Sequence, residues 1–79
     1  MTTLQETVLT ILETICETDA VREDLDLHLF DEGLLDSFGS VALLVEIESQ
    51  LGITVGISDF DRDQWATPQL ILERLAERQ

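Results

Sequence analysis

The sequence predicts an all-α protein: a small up-and-down bundle of three main helices and one short helix, forming a single domain over residues 1–79. Apolar residues recur at spacings of three and four in separate stretches, the period of an amphipathic helix. Hydrophobic residues make up 44% of the chain with only three Phe, one Trp and no Tyr, so the core must be built mainly from Leu, Ile and Val. At 79 residues there is no room for a second core, and a chain of this size buries only about 60% of the surface that it exposes when unfolded. No internal repeat and no low-complexity segment interrupts this pattern.

From Thr3 to about Cys16, Leu4, Val8, Ile11, Leu12 and Ile15 give the first helical stripe, with Thr3 as a candidate cap. Residues 17–33 carry Asp19, Asp24, Asp26 and Asp31 without a sustained period. They read as a long loop tied down by Val21, Leu25, Leu27, Leu29 and Phe30, and long ordered loops are often functional. Asp36 and Ser37 both suit a helix N-terminus, and the helix that follows runs through Val41, Leu43, Leu44, Ile47 and Leu51 to a stop at Gly52. In residues 53–64, Val55 and Ile57 are expected to anchor the segment and Ser58 or Asp59 to cap a short helical turn. The run Asp59-Phe60-Asp61-Arg62-Asp63 is expected to face water. Thr67 followed by Pro68 marks the start of the last helix, since Pro suits the first helical position. Leu70, Ile71, Leu72 and Leu75 supply its apolar side, and Arg74 and Arg78 lie near its negative end.

Seventeen Asp and Glu stand against four Arg, for a formal net charge of -13 and a pI near 4.1. Such a field repels phosphate backbones and anionic headgroups, which argues against nucleic acid and direct lipid insertion and favours protein partners with a basic patch. Cys16 is the single cysteine, so no internal disulfide can form. No basic and then apolar leader pattern opens the chain, and no apolar run approaches the ~20 residues of a membrane helix. A cytoplasmic, soluble protein is expected.

On a helical wheel advancing about 100° per residue, the helix from Ser37 has two apolar sides. Leu43, Leu44, Ile47 and Leu51 form a core stripe; Phe38, Val41, Ala42 and Val45 lie opposite. The second set is either buried beneath the long loop or exposed beside Ser37, bordered by Glu46 and Glu48, for a partner to cover.

The segment Glu32-Gly33-Leu34-Leu35-Asp36-Ser37-Phe38-Gly39 puts a hydroxyl where helical N–H groups are unpaired, so an anion joined to Ser37 gains from those groups and from the helix dipole. A plain helix cap is the generic explanation of an Asp-Ser pair. A nucleophile elbow needs Gly at position 35, where Leu35 stands, and one His and one Cys make neither a triad nor a zinc site. His28 is expected at the surface and Cys16 as a buried or half-buried small apolar residue. Asp59, Asp61 and Asp63 imitate the opening of a calcium loop, but Gln64 and Leu70 occupy its required Gly and Glu positions. A solvated turn, or a pairing of Arg62 with nearby carboxylates, is the better account. Trp65 is expected to anchor the last loop by packing.

The run Gly33-Leu34-Leu35-Asp36-Ser37-Phe38 resembles the phosphopantetheine attachment site of acyl and peptidyl carrier proteins, which centres on Asp-Ser followed by a large apolar residue. The resemblance implies an acyl-carrier-like bundle, not itself an enzyme, in which Ser37 accepts the 4'-phosphopantetheine arm of coenzyme A from a separate phosphopantetheinyl transferase. The arm's thiol then holds cargo as a thioester. Asp36 is implied to help position that transfer, and Phe38, Val41 and Val45 to lie on the docking face. Phe60-Asp61-Arg62-Asp63-Gln64-Trp65-Ala66-Thr67-Pro68, with Leu29-Phe30, is similar to the D-alanyl carrier proteins of Gram-positive bacteria, a likeness covering nearly the whole chain. That family implies D-alanine as cargo, a D-alanine-activating ligase and a membrane acyltransferase as partners, lipoteichoic acid as the destination, and a monomeric carrier. Gly39 and Ala42 stand where fatty-acid carriers usually have acidic residues, so fatty-acid synthase enzymes are expected to dock poorly. The rival readings are an aminoacyl or peptidyl carrier of a secondary-metabolite pathway, which the Phe-Asp-Arg-Asp-x-Trp pattern disfavours, and an unmodified acidic adaptor.

Overall fold

The computed structural model describes residues 3–78. They form α1 (Thr3–Cys16), α2 (Ala20–Glu23), α3 (Ser37–Leu51), a 3-10 turn (Ile57–Asp59) and α4 (Pro68–Ala76), with no strand among the described residues. α1 packs against each of α2, α3 and α4, so it is the axis of the bundle. The seam is aliphatic, as the composition requires: Val8, Leu12, Val21, Leu29, Leu43, Ile47, Ile71 and Leu75 are fully buried.

α1 buries Val8, Leu9, Ile11 and Leu12, while Leu4 and Ile15 are only half-buried and pack at the edge of the core. Thr3 is already helical in the described residues, inside the first turn rather than before it. The helix ends at Glu17, whose φ of 56° is in the left-handed region that glycine usually fills.

α2 falls where the sequence reads as loop. Its four residues are too few for a period to register, and one fully buried side chain, Val21, fixes it to the core. Thr18 Oγ1 accepts from the Ala20 N–H at 3.2 Å. On the outer side Arg22 pairs with Glu6 at 2.9 Å, with Glu13, and with Thr10 Oγ1 at 3.0 Å, which ties α2 to α1. The rest of the loop is satisfied by its neighbours. The Leu34 and Leu35 N–H groups both donate to Leu29 O, Leu29 N–H donates to Ala66 O at 2.9 Å, and Gln69 N–H donates to Leu25 O at 2.9 Å. The loop is therefore clamped to the start of α4.

α3 ends at Gly52 with φ 69°, where an added Cβ meets nothing, so the requirement for glycine is conformational. Beyond it, Ile53 and Val55 are buried but Ile57 is 62% exposed and anchors nothing. Gly56 precedes the 3-10 turn without a side-chain cap, and Ser58 and Asp59 lie inside the turn instead of capping it. Asp59, Asp61, Arg62 and Asp63 do face water, but Phe60 is half-buried. Its ring packs edge-on to Phe30 at 6.0 Å and lies 5.2 Å from Trp65, which is 1% exposed. Trp65 is thus the core anchor of an aromatic stack that reaches the surface. Thr67 Oγ1 caps α4 by accepting from the Leu70 N–H at 3.1 Å, and Pro68 opens the helix. Near the end of α4, Arg74 Nε lies 3.1 Å from Glu77 Oε1.

Candidate functional site

Asp36 and Ser37 divide the labour at the start of α3. Asp36 is the cap: its backbone is extended and its Oδ1 accepts from the Gly39 N–H at 2.7 Å, while its carbonyl accepts from Ser40 Oγ at 2.8 Å. Ser37 is the first helical residue and is exposed. The Asp36 carboxylate thus already uses one helical N–H that sequence reasoning leaves available to an anion on Ser37. Leu35, 2% exposed, pins the incoming chain to the core and so fixes where the pair emerges.

Gly39 is buried in this first turn. A Cβ there meets Leu35 Cδ1 at 3.1 Å, Asp36 Oδ1 at 3.3 Å and Ile15 Cγ2 at 3.4 Å. Its departure from the acidic residue of fatty-acid carriers therefore has a steric side: any side chain presses on the cap and on α1.

The Ser37 hydroxyl oxygen accepts from Arg62 Nη2 at 3.3 Å. Arg62 lies over the Phe30 ring, 5.0 Å from its centre. It makes no ion pair among the described residues, so of the two accounts of this run the solvated turn holds and the pairing of Arg62 with nearby carboxylates does not. Asp61 Oδ1 instead accepts from the Asp63 N–H at 2.8 Å and closes the turn. Sequence reasoning missed Arg62 as a neighbour of Ser37. The available signal was that one of only four basic residues sits inside an acidic run.

The second apolar side of α3 is open. Phe38 is 84% exposed, Val41 50% and Val45 59%, while the opposite stripe of Leu43, Leu44 and Ile47 is buried, so the arrangement beneath the long loop does not occur. The exposed Ile57 extends this surface from the other wall. Ser37, Ser40, Val41, Ile57, Phe60 and Arg62 line an open groove of about 310 Å³. It continues into a smaller one of about 200 Å³ between Val41, Val45 and Ile57. On the other flank, Phe38, Gly39, Ala42 and Leu34 border a depression of about 400 Å³ against Ile15 and Cys16.

Among the described residues no histidine or carboxylate is hydrogen-bonded to the Ser37 hydroxyl. His28 is at the surface, its Nδ1 3.8 Å from Asp31 Oδ2, and it makes no contact with the hydroxyl. Cys16 is buried, and burial pushes its thiol above the ordinary cysteine range. Among the described residues no three His, Cys, Asp or Glu side chains converge as a metal site, and no helix is long and apolar enough to cross a membrane. What the arrangement offers is an accessible hydroxyl on a rigid helix end, one cation against it, and an apolar surface alongside. These residues fit a phosphate ester on that hydroxyl, because Arg62 supplies the positive donor such a group needs.

Comparison with known proteins gives the same direction. The family described as "Phosphopantetheine attachment site" matches residues 6–75. The chain is 56% identical over 77 residues to the D-alanyl carrier proteins of Bacillus cereus (strain B4264) and Bacillus anthracis (strain CDC 684 / NRRL 3495), with 98% of each chain covered. Its prosthetic group is 4'-phosphopantetheine. An all-α bundle with a phosphopantetheine-attachment match over nearly its whole length, and relatives this similar, belongs to the D-alanyl carrier protein family.

Proposed function

We propose that Ser37 is the residue that carries the 4'-phosphopantetheine arm, and that the domain, residues 1–79, delivers D-alanine from a separate D-alanine-activating ligase to a membrane acyltransferase for the D-alanylation of lipoteichoic acid. The observation that carries this reading is the exposed Ser37 hydroxyl at the first position of α3, with Asp36 as the cap and Arg62 Nη2 donating to its oxygen. When bound, the arm supplies a thiol at its far end on which the aminoacyl group is held as a thioester. The chain's own residues hold and present the arm's root. Asp36 keeps the helix end rigid, Leu35 fixes its position against the core, and Arg62 contacts the Ser37 hydroxyl.

Asp36, Phe38, Val41 and Val45, with Ile57 added from the opposite wall, form the surface on which the transferase, ligase and acyltransferase dock. Its apolar centre within a strongly acidic domain suits partners that combine an apolar patch with a basic rim. The carrier works as a monomer on the cytoplasmic side; the net charge of -13 supports the monomer, because copies of the chain repel one another. The names of the relatives favour D-alanine over the cargo of a secondary-metabolite pathway, and the attachment-site match disfavours an unmodified adaptor.

The test is charging of the modified protein by a D-alanine-activating ligase with ATP, read by intact mass. One D-alanyl unit is gained in preference to L-alanine or glycine. Equal charging with all three, or none with D-alanine, contradicts the assigned cargo.

A further inference from the structure

Of the four arginines in a chain with seventeen carboxylates, Arg62 and Arg78 make no ion pair among the described residues; Arg78 is simply exposed beyond α4, whereas Arg62 is held in place by other contacts. Arg22 is held by Glu6 and Glu13, and Arg74 lies against Glu77. Arg62 is flanked in sequence by Asp61 and Asp63, yet it pairs with neither among the described residues. The Asp61 side chain is turned into its own turn, accepting from the Asp63 N–H, and the Asp61 carbonyl accepts from the Gln64 and Trp65 N–H groups. Meanwhile the guanidinium rests on Phe30, Phe30 on Phe60, and Phe60 against the buried Trp65. An aromatic shelf rooted in the core thus holds a cation at the surface and aims one of its donors at Ser37 Oγ.

We propose that Arg62 is a positioning residue for the phosphodiester that joins the arm to Ser37, an inference that rests on Ser37 being the attachment residue. A phosphodiester adds one further negative charge to a domain already at -13, beside the Asp36 carboxylate. Arg62 is the cation that already touches the oxygen on which the phosphate is built. Its guanidinium has five N–H donors in a planar fork that matches phosphate oxygens, and the contact to Ser37 uses one of them. The arm's root is thereby held against the body of the domain.

The test compares melting temperatures before and after modification by coenzyme A and a phosphopantetheinyl transferase, for wild type, Arg62→Gln and Arg62→Lys. Loss of the Phe30 contact affects the unmodified and modified forms of a variant alike, so the change on modification isolates the interaction with the phosphate. Modification leaves the wild-type melting temperature unchanged or raised, and lowers that of Arg62→Gln, the two changes differing by about 2–5 °C at low salt. Arg62→Lys falls between them, and the gap narrows as salt is added. The phosphorus-31 resonance of the diester differs between wild type and Arg62→Gln. If Arg62→Gln does not fold, Arg62→Lys carries the comparison. Equal changes on modification in wild type and variants overturn the proposal. So does a slowed transfer reaction with equal melting changes, which assigns Arg62 to transferase docking. If wild type gains no arm at Ser37, the attachment reading fails and this inference falls with it; if the arm is gained and the changes are equal, only the role of Arg62 fails.

Discussion

Val45 and Ile47 are two residues apart on α3 and face opposite surroundings, so they separate docking from folding. Ile47 is fully buried, and Ile47→Ala removes three outer carbons from the centre of the core. At about 0.8 kcal/mol per buried carbon, plus the cavity left behind, the cost is about 2–5 kcal/mol. For a small domain that is a large part of the total, and the melting temperature falls by roughly 10 °C or more. Val45 is 59% exposed, so less than half of its side chain is removed from water. Full burial of a Val contributes about 1.5 kcal/mol or somewhat more, and Val45→Asp therefore forfeits well under about 1 kcal/mol of burial. A few tenths more come from the like charge of Glu48 three residues on. The paired assay is a thermal melt and a rate of arm attachment and D-alanine loading for each variant. Ile47→Ala melts early but is modified at the wild-type rate while folded; Val45→Asp melts close to wild type but is modified or loaded slowly, because a charge enters the apolar docking surface. If Val45→Asp unfolds the domain, or leaves both rates unchanged, the reasoning about this face is refuted.

Two further predictions follow from the same geometry. Asp36→Ala removes the cap that accepts from the Gly39 N–H and lowers stability by about 0.5–2 kcal/mol, whereas Asp36→Asn keeps most of it; a denaturant melt in which both variants match wild type contradicts the capping role. Burial raises the Cys16 thiol, so the unfolded chain ionises first and this group's contribution to stability declines as pH rises from the ordinary thiol range toward the raised folded value. Wild type therefore loses stability over that alkaline window more steeply than Cys16→Ala does, and alkylation of Cys16 is slow until denaturant is added; rapid alkylation of the folded protein contradicts the burial.

Where the sequence and the structure agree, a periodic or positional signal was strong. The stripes of α1, α3 and α4 follow from aliphatic spacing, Gly52 from its place after the last periodic residue, and Thr67-Pro68 from the pairing of a cap with a residue that needs no N–H. The openness of Phe38, Val41 and Val45 follows from the one core being too small to cover both sides of α3. The failures lie where contacts are long-range. α2 is a single turn held by Val21 and by Arg22 reaching back to α1, and neither contact leaves a period. Phe60 sits in an acidic run, and its partial burial comes in part from Phe30, far away in sequence. Ile57 looks like an anchor by type, but the backbone turn points it outward. The contact between Arg62 and Ser37 joins residues 25 apart in sequence and was illegible for the same reason.

The central claim is that Ser37, presented by the Asp36 cap, carries the arm. Its most direct measurement is intact mass, followed by peptide mapping, of wild type and Ser37→Ala after incubation with coenzyme A, magnesium and a phosphopantetheinyl transferase. Wild type gains the mass of a single phosphopantetheine unit on the peptide containing Ser37, while Ser37→Ala folds with a wild-type melt and gains nothing. An arm mapped to Ser40, Ser49 or Ser58, or an equal gain in Ser37→Ala, contradicts the account.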